Sequence, residues 1–209
     1  MLTSPWRAIP ASEATFTLGG AMTGYLRDLS AMFDQVECRL DALPISGDKA
    51  IEMAAAAILT GAQHGRKVLI VGNGGSAAIA SHVATDLVKN AEVRAMVFTD
   101  SSMLTCLAND HGYPEVYAEP VKLFGEPGDT LIAISSSGNS DNILRAAEEA
   151  REIGMVIITL SGFDPDNRLR KMGRLSIYVP AHAYGMVEVT HLALLHAVID
   201  TVIARRTPR

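Results

Sequence analysis

Short apolar runs alternate with longer amphipathic stretches from Lys67 to the end of the chain. Five of the runs are short and partly β-branched, as buried parallel strands usually are. They predict strands at 67–71, 94–98, 130–135, 155–160 and 175–179. The stretches between them carry apolar side chains at helical spacing and predict helices at 76–89, 101–108, 115–124, 141–153 and 185–204. The alternation predicts an α/β fold, a doubly wound five-stranded parallel sheet with helices on both faces.

Two further helices are predicted before the first strand. Apolar side chains recur at helical spacing from about residue 20 to residue 43, and Pro44 and Gly47 then break the pattern. An alanine-rich helix is predicted at 49–63. We expect a single domain, 1–209, in which residues 1–65 form an N-terminal helical part. The two helices either build a layer for oligomerisation or cover one face of the sheet.

Composition and charge narrow the classes of partner. The chain is 48% hydrophobic but only 5% aromatic, so we expect an aliphatic core. Its formal net charge of −5 argues against a broad surface for nucleic acid or for an anionic membrane. Pro5, Arg7 and Pro10 interrupt any apolar region of a signal peptide, and no uninterrupted apolar stretch approaches the ~18 residues that span a bilayer. We expect a soluble cytoplasmic protein whose Cys38 and Cys106 are reduced thiols.

Two turns rich in glycine and serine follow the first and third predicted strands. The first turn, 71–76, has the sequence VGNGGS, and the second turn, 135–140, has the sequence SSSGNS. A small-residue turn between a strand and a helix binds anions, because free backbone N–H groups and the helix dipole favour negative charge. We therefore expect a phosphorylated, hydroxyl-rich small molecule to bind between the two turns. The second turn would hold the phosphate through Ser135, Ser136, Ser137 and Ser140, and the first would line the hydroxyl-bearing part through Asn73, Gly74, Gly75 and Ser76.

The first turn does not match the nucleotide-binding fingerprints. It lacks the Gly-Lys-Ser/Thr ending of a P-loop, and Ala77 interrupts the glycine pattern of a dinucleotide site. Asp100, after the second predicted strand, is the weak remaining indication of a ribose contact. A dinucleotide site is therefore the less favoured alternative.

His82 and Asp86 are the first candidates for catalysis or metal binding. They lie four residues apart on the helix predicted after the first turn, so they share one face of it. This spacing suits a divalent metal, and it equally suits a local hydrogen bond on a solvated helix face.

The two turns, together with the late segment EVTHLALLH at 188–196, resemble the sugar isomerase (SIS) domain family. Within that family the chain is similar to the phosphoheptose isomerases, from about residue 20 to the end. The resemblance also includes 108–110 and 128–129. It implies a flavodoxin-like SIS fold and an aldose–ketose isomerase acting on sedoheptulose 7-phosphate. It also implies a homotetramer with active sites near the subunit interfaces.

The resemblance further implies a zinc or related divalent metal site. Its ligands would be His82, Asp86, Glu188 and His196, with Asp86 and His196 also moving the proton. Two of these positions depart from the family, which has glutamate where this chain has Asp86 and glutamine where it has Glu188. Both replacements keep an oxygen ligand. Spacing alone would pair Glu188 with His191, and the family match selects His196, which leaves His191 as a structural residue.

Asn109 and Asp110 match a pair that contacts substrate in the family, although Asn-Asp-His-Gly is also a good signal for a helix end. Both interpretations stay open. Two other functions remain open as well. One is a non-catalytic SIS protein that binds a replication initiator, and the other is a regulatory sensor of a sugar phosphate.

Overall fold

Residues 21–206, the part of the chain that this computed structural model describes, form seven strands and seven α-helices. In chain order they are α1 (Ala21–Phe33), β1 (Glu37–Leu40), β2 (Leu43–Ile45), α2 (Gly47–Gln63), β3 (Val68–Gly72), α3 (Gly75–Lys89), β4 (Ala95–Val97), α4 (Ser101–Asp110), α5 (Ala118–Phe124), β5 (Thr130–Ser135), α6 (Asp141–Ile153), β6 (Val156–Gly162), β7 (Leu175–Val179) and α7 (Tyr184–Arg205). Short 3₁₀ helices lie at Tyr113–Glu115 and Leu169–Lys171.

The seven strands form one sheet in the order β2-β1-β7-β6-β5-β3-β4. All pairs among β3 to β7 are parallel, so the predicted five-stranded parallel sheet is confirmed. After β3 the chain winds outward to β4, and it then returns to the other side of β3 to form β5. In such sheets the reversal between two neighbouring strands leaves a crevice at their carboxyl ends. Here that switch point lies between β3 and β5.

The parallel strands read as nearly unbroken apolar runs because both faces of the sheet are buried. On one face, Val68 and Ile70 of β3 pack with residues of α2, α3 and α7. On the other face, Leu69 and Val71 pack with residues of α5 and α6. Complete burial of an aliphatic side chain contributes about 1.5–3 kcal/mol to the stability of the fold. Because both faces of these strands are buried, apolar residues are favoured at successive positions and not only at alternate ones.

The predicted helix over residues 20–43 is wrong beyond Phe33. The chain turns into the β1–β2 hairpin, and β1 pairs antiparallel with β7. The hairpin turn uses Asp41 and Ala42, whose φ angles are 47° and 69°. A tight hairpin turn needs positive φ at both central residues and usually signals itself by glycine, which is absent here. Pairing with β7 and burial of Cys38 override the helical spacing.

The two N-terminal helices differ in what they cover. Helix α2 begins at the Ser46 side chain, which accepts a hydrogen bond from the Lys49 backbone N–H at 3.2 Å, and it packs on the sheet with α7. Helix α2 therefore covers one face of the sheet, which is the second of the two roles predicted for the N-terminal helices. Helix α1 buries none of its residues and exposes Met22, Leu26 and Phe33.

Helix α7 is long and apolar enough, by length and composition alone, to cross a membrane. Eight of its residues, however, are buried inside this chain, including Leu195, Val198 and Val202 in the core shared with α2 and α3. This burial explains its apolar composition without a bilayer.

Candidate active site

The two glycine- and serine-rich turns meet at the switch point and enclose a cavity of about 260 Å³. All eight residues predicted from the turns line it, namely Asn73, Gly74, Gly75, Ser76, Ser135, Ser136, Ser137 and Ser140. Ile134, Tyr184 and Glu188 complete the lining. Because α3 and α6 begin at these turns, the N-termini of two helices lie beside one small cavity.

Glycine is favoured at two positions of the first turn, Gly74 and Gly75. Gly74, which precedes α3, has φ 54° and ψ −122°, a conformation that side chains with a Cβ rarely adopt. At Gly75 a Cβ atom would collide with the carboxylate of Glu188, which packs directly against the backbone there. Glu188 therefore lies against the first turn, inside the cavity.

Serine hydroxyls organise the second turn. The Ser135 hydroxyl lies 3.2 Å from that of Ser140 and 3.4 Å from that of Ser137, and it accepts the Gly138 N–H at 3.2 Å. The buried Ser136 hydroxyl has no hydrogen-bond partner within residues 21–206. The described lining contains no lysine or arginine. An anion here would be bound by hydroxyls, backbone N–H groups and helix N-termini, the usual donors of such sites.

A network of amides and phenols joins the two turns. The Asn73 and Asn142 side chains donate to one another, each at 2.8 Å, and the Tyr113 hydroxyl donates to the Asn73 oxygen at 3.3 Å. The Tyr117 hydroxyl donates to the Gly72 carbonyl at 2.6 Å. Burial is the main cause that raises the pKa of Tyr117 to about 12, so this hydroxyl stays a donor.

Tyr184 is a site residue that the sequence interpretation missed. Its ring lines the cavity and packs edge-on against Phe163, with ring centroids 4.9 Å apart. It lies four residues before Glu188 on α7, so the two share one helix face. That spacing was the available signal.

His82, Asp86 and His196 come together from α3 and α7. The two Nε2 atoms of the histidines lie 3.1 Å apart, and one oxygen of Asp86 lies 3.4 Å from Nε2 of His82 and 3.7 Å from Nδ1 of His196. One ligand atom from each residue lies within 4.8 Å of the other two, so the three could hold a metal ion, and we call these residues the metal cluster. Two imidazoles and one carboxylate form the donor set of many catalytic zinc sites. The donor types therefore fit a divalent ion of this kind.

Glu188, predicted as the fourth ligand, is not a member of this group. Its position two helical turns before His196 places it at the cavity instead. The structure thus brings three of the four predicted ligands together.

His191 lies in the core between these sites. It is completely buried, and its Nε2 atom is 3.1 Å from the Ser161 carbonyl. Desolvation lowers its pKa to about 4, so the ring is neutral near neutral pH. This environment agrees with the predicted structural role.

Asn109 and Asp110 close α4. Their side chains bond to each other at 2.8 Å, and α4 ends at Asp110, as the helix-end interpretation expects. Neither lines the cavity described above. A contact between this pair and the substrate stays a prediction.

Comparisons with known proteins identify the family of this chain. A model described as the SIS domain matches residues 31–162. The phosphoheptose isomerase of Shewanella denitrificans is 35% identical over 180 residues, which cover 81% of this chain and 90% of that relative. Solved phosphoheptose isomerases from Neisseria gonorrhoeae and Francisella tularensis superpose with TM-scores of 0.73 and 0.75 at 29% and 26% identity, covering 87% and 88% of this chain and 97% of each of theirs. The chain belongs to the SIS domain family, in its phosphoheptose isomerase group.

Proposed function

We propose that this protein is a phosphoheptose isomerase, which converts the ketose sedoheptulose 7-phosphate into the aldose D-glycero-D-manno-heptose 7-phosphate. One observation carries the proposal, in a chain whose relatives bear that name. Helices α3 and α7 each run from the cavity between the two turns to the metal cluster. Helix α3 begins at the cavity and carries His82, whereas α7 lines the cavity with Glu188 and carries His196. One site can therefore hold a phosphate at one end of a sugar and act on its other end.

The second turn is the phosphate site in this proposal. Its hydroxyls and the N-terminus of α6 supply the donors, and the glycines of the first turn let the sugar approach the backbone closely. The Glu188 carboxylate accepts hydrogen bonds from sugar hydroxyls and opposes a second negative charge on its own side of the cavity. The phosphate consequently binds on the side of Ser137.

Replacing Ser137 by alanine should raise the KM for the sugar phosphate about tenfold, or about 1.4 kcal/mol, the value of one charge-assisted hydrogen bond. Steady-state kinetics with sedoheptulose 7-phosphate measure this change. Ser101→Ala, an exposed serine on α4, is the control and should leave KM unchanged. Unchanged affinity in both Ser135→Ala and Ser137→Ala would remove the second turn from the site.

His82, Asp86 and His196 would hold a divalent metal, with zinc the best match to their donors and manganese or iron as substitutes. Such an ion would act as a Lewis acid and polarise the carbonyl group of the ketose. Asn90 donates to one oxygen of Asp86 at 3.1 Å, which leaves the other oxygen facing the two histidines.

Asp86 and His196 carry out the proton transfer in this proposal. A base removes a proton from C1 of the ketose, and the electrons of that C–H bond form the C1–C2 double bond of the enediolate. The electrons of the C2 carbonyl bond meanwhile move to its oxygen, which takes up a proton and becomes a hydroxyl. The C1 hydroxyl then gives up its proton as the C1 aldehyde forms, and the electrons of the C1–C2 double bond take up a proton at C2. An oxygen of Asp86 lies 3.7 Å from Nδ1 of His196, so the two side chains border the same space, as a base and an acid for neighbouring carbons must.

NMR of the protein incubated with sedoheptulose 7-phosphate and zinc tests the function directly. We expect aldehyde-derived sugar signals to accumulate, and we expect no conversion after the metal is removed by a chelator. Binding of the substrate without any conversion would indicate a sensor instead. Absence of both binding and conversion would favour the SIS protein that binds another protein.

We expect the enzyme to be a cytoplasmic homotetramer, with its active sites near subunit interfaces. Helix α1 exposes an apolar stripe that includes Leu26 and Phe33, and burying it against another copy would be favourable. Light scattering should give the mass of a tetramer, and Leu26→Glu should shift the protein toward smaller species. A stable monomer of the unchanged protein at micromolar concentration would contradict this prediction.

A further inference from the structure

We propose that Asn142 and Tyr113 are positioning residues, which hold the first turn at a fixed distance from the second through the side chain of Asn73. We call these three residues the asparagine latch. The inference rests on the proposed function and extends it to residues that do not line the cavity themselves.

The latch crosses the switch point of the sheet. Asn73 follows β3 and belongs to the first turn. Asn142 is the second residue of α6, which begins directly after the second turn. Between β3 and β5 the sheet offers no further backbone pairing beyond Gly72 and Ile134. The two reciprocal side-chain bonds of 2.8 Å therefore continue the connection past the end of the strands. Asn142 is only 3% exposed, so water competes little for these bonds.

Tyrosines on one short segment brace the same turn from the other side. Tyr117 holds the Gly72 carbonyl and Tyr113 holds the Asn73 oxygen, and the two phenols lie four residues apart. The first turn is consequently fixed at two successive residues. Four side-chain hydrogen bonds, two of them to Asn142, restrain these two residues.

The latch also decides which group Asn73 presents to the ligand. Its oxygen accepts from both Asn142 and Tyr113, and one of its two amide hydrogens is used by the Asn142 oxygen. Among the residues that the structure describes, the other amide N–H of Asn73 has no acceptor, so it is available to the cavity that this residue lines. The site therefore offers a donor at this point, which suits the oxygen atoms of a phosphorylated sugar.

A double-mutant cycle tests the latch. We expect Asn142→Ala to raise the KM for sedoheptulose 7-phosphate about tenfold, with kcat changed less than about threefold, because the latch acts on binding of the non-reacting part of the substrate. Tyr113→Phe removes one weaker bond from an exposed side chain and should raise KM about two- to threefold. The double variant Asn73→Ala with Asn142→Ala should be no worse than Asn73→Ala alone, because Asn73→Ala already removes both bonds that Asn142 makes to this residue.

On every variant we also measure the phosphate midpoint, which is the concentration of inorganic phosphate that gives half of the maximal rise in unfolding temperature. This measurement needs no turnover. Ile58→Val, at a buried core position of α2, controls for a loss of stability alone and should leave KM unchanged. Additive effects in the cycle, or an Asn142→Ala protein with unchanged KM and unchanged phosphate midpoint, would overturn the latch. A wild-type protein that fails to isomerise would instead overturn the proposed function, and the phosphate midpoints of Asn142→Ala and wild type would then decide on the latch alone.

Discussion

Replacing His196 by alanine is expected to lower kcat/KM for sedoheptulose 7-phosphate by about 10²–10⁴-fold, the usual contribution of a positioned acid–base group. The variant loses a nitrogen that lies 3.1 Å from His82 and with it one of the three donors of the metal cluster. It also loses a carrier of the transferred proton. The fold should survive, because the His196 side chain is 41% exposed and is not part of the core of the sheet.

The experiment combines kinetics with a metal assay. Zinc bound per chain should fall together with activity, whereas the circular dichroism spectrum should not change. His64→Ala is the matched control, because this exposed histidine bonds to its own helix at the Thr60 carbonyl and should leave both zinc and activity unchanged. Full turnover by the His196→Ala variant, or by protein stripped of metal, would show that the proposed chemistry is wrong.

The second large effect is expected at Asp86. Asp86→Asn keeps the size of the side chain but removes its negative charge, so it can neither balance a divalent cation nor accept a proton. We expect a loss of activity comparable to that of His196→Ala. Asp86→Glu should keep activity or raise it, because it restores the longer carboxylate of the family while preserving the charge.

Activity and zinc content of the two variants are compared with those of Asp166→Asn, which removes the carboxylate of a strongly exposed aspartate. The order expected for activity is Asp86→Glu at or above wild type, Asp166→Asn equal to wild type, and Asp86→Asn far below both. An active Asp86→Asn enzyme would exclude Asp86 as the base and as a necessary ligand.

The parallel part of the fold could be predicted from the sequence because burial on both faces leaves a simple signature. A strand such as Thr130–Ser135 contains only residues that suit a sheet interior, and the helix that follows it was predicted with its observed bounds, Asp141–Ile153. The β1–β2 hairpin could not be predicted in this way. Val36, Leu40 and Leu43 fit a helical period, and only the distant pairing of β1 with β7 selects the strand.

The candidate site likewise contains residues that could be predicted from the sequence and residues that could not. Residues of the two turns, and the pair His82 and Asp86, are close in sequence and could be found from spacing. Asn142 and Tyr113 bond to Asn73 across 69 and 40 positions of the chain, and no local pattern reports such a contact. The family resemblance suggested Glu188 as a ligand, and only the packing of its carboxylate on Gly75 placed it in the cavity.

Helix α3 keeps the first turn and the metal cluster at a fixed separation. Its first residue, Gly75, lines the cavity, and His82 follows seven residues later, which corresponds to about 10 Å at 1.5 Å per residue. Because the helix is continuous from Gly75 to Lys89, this separation changes only if residues are inserted into α3 or removed from it. A substitution of a side chain in the cavity therefore leaves the distance from the first turn to His82 unchanged.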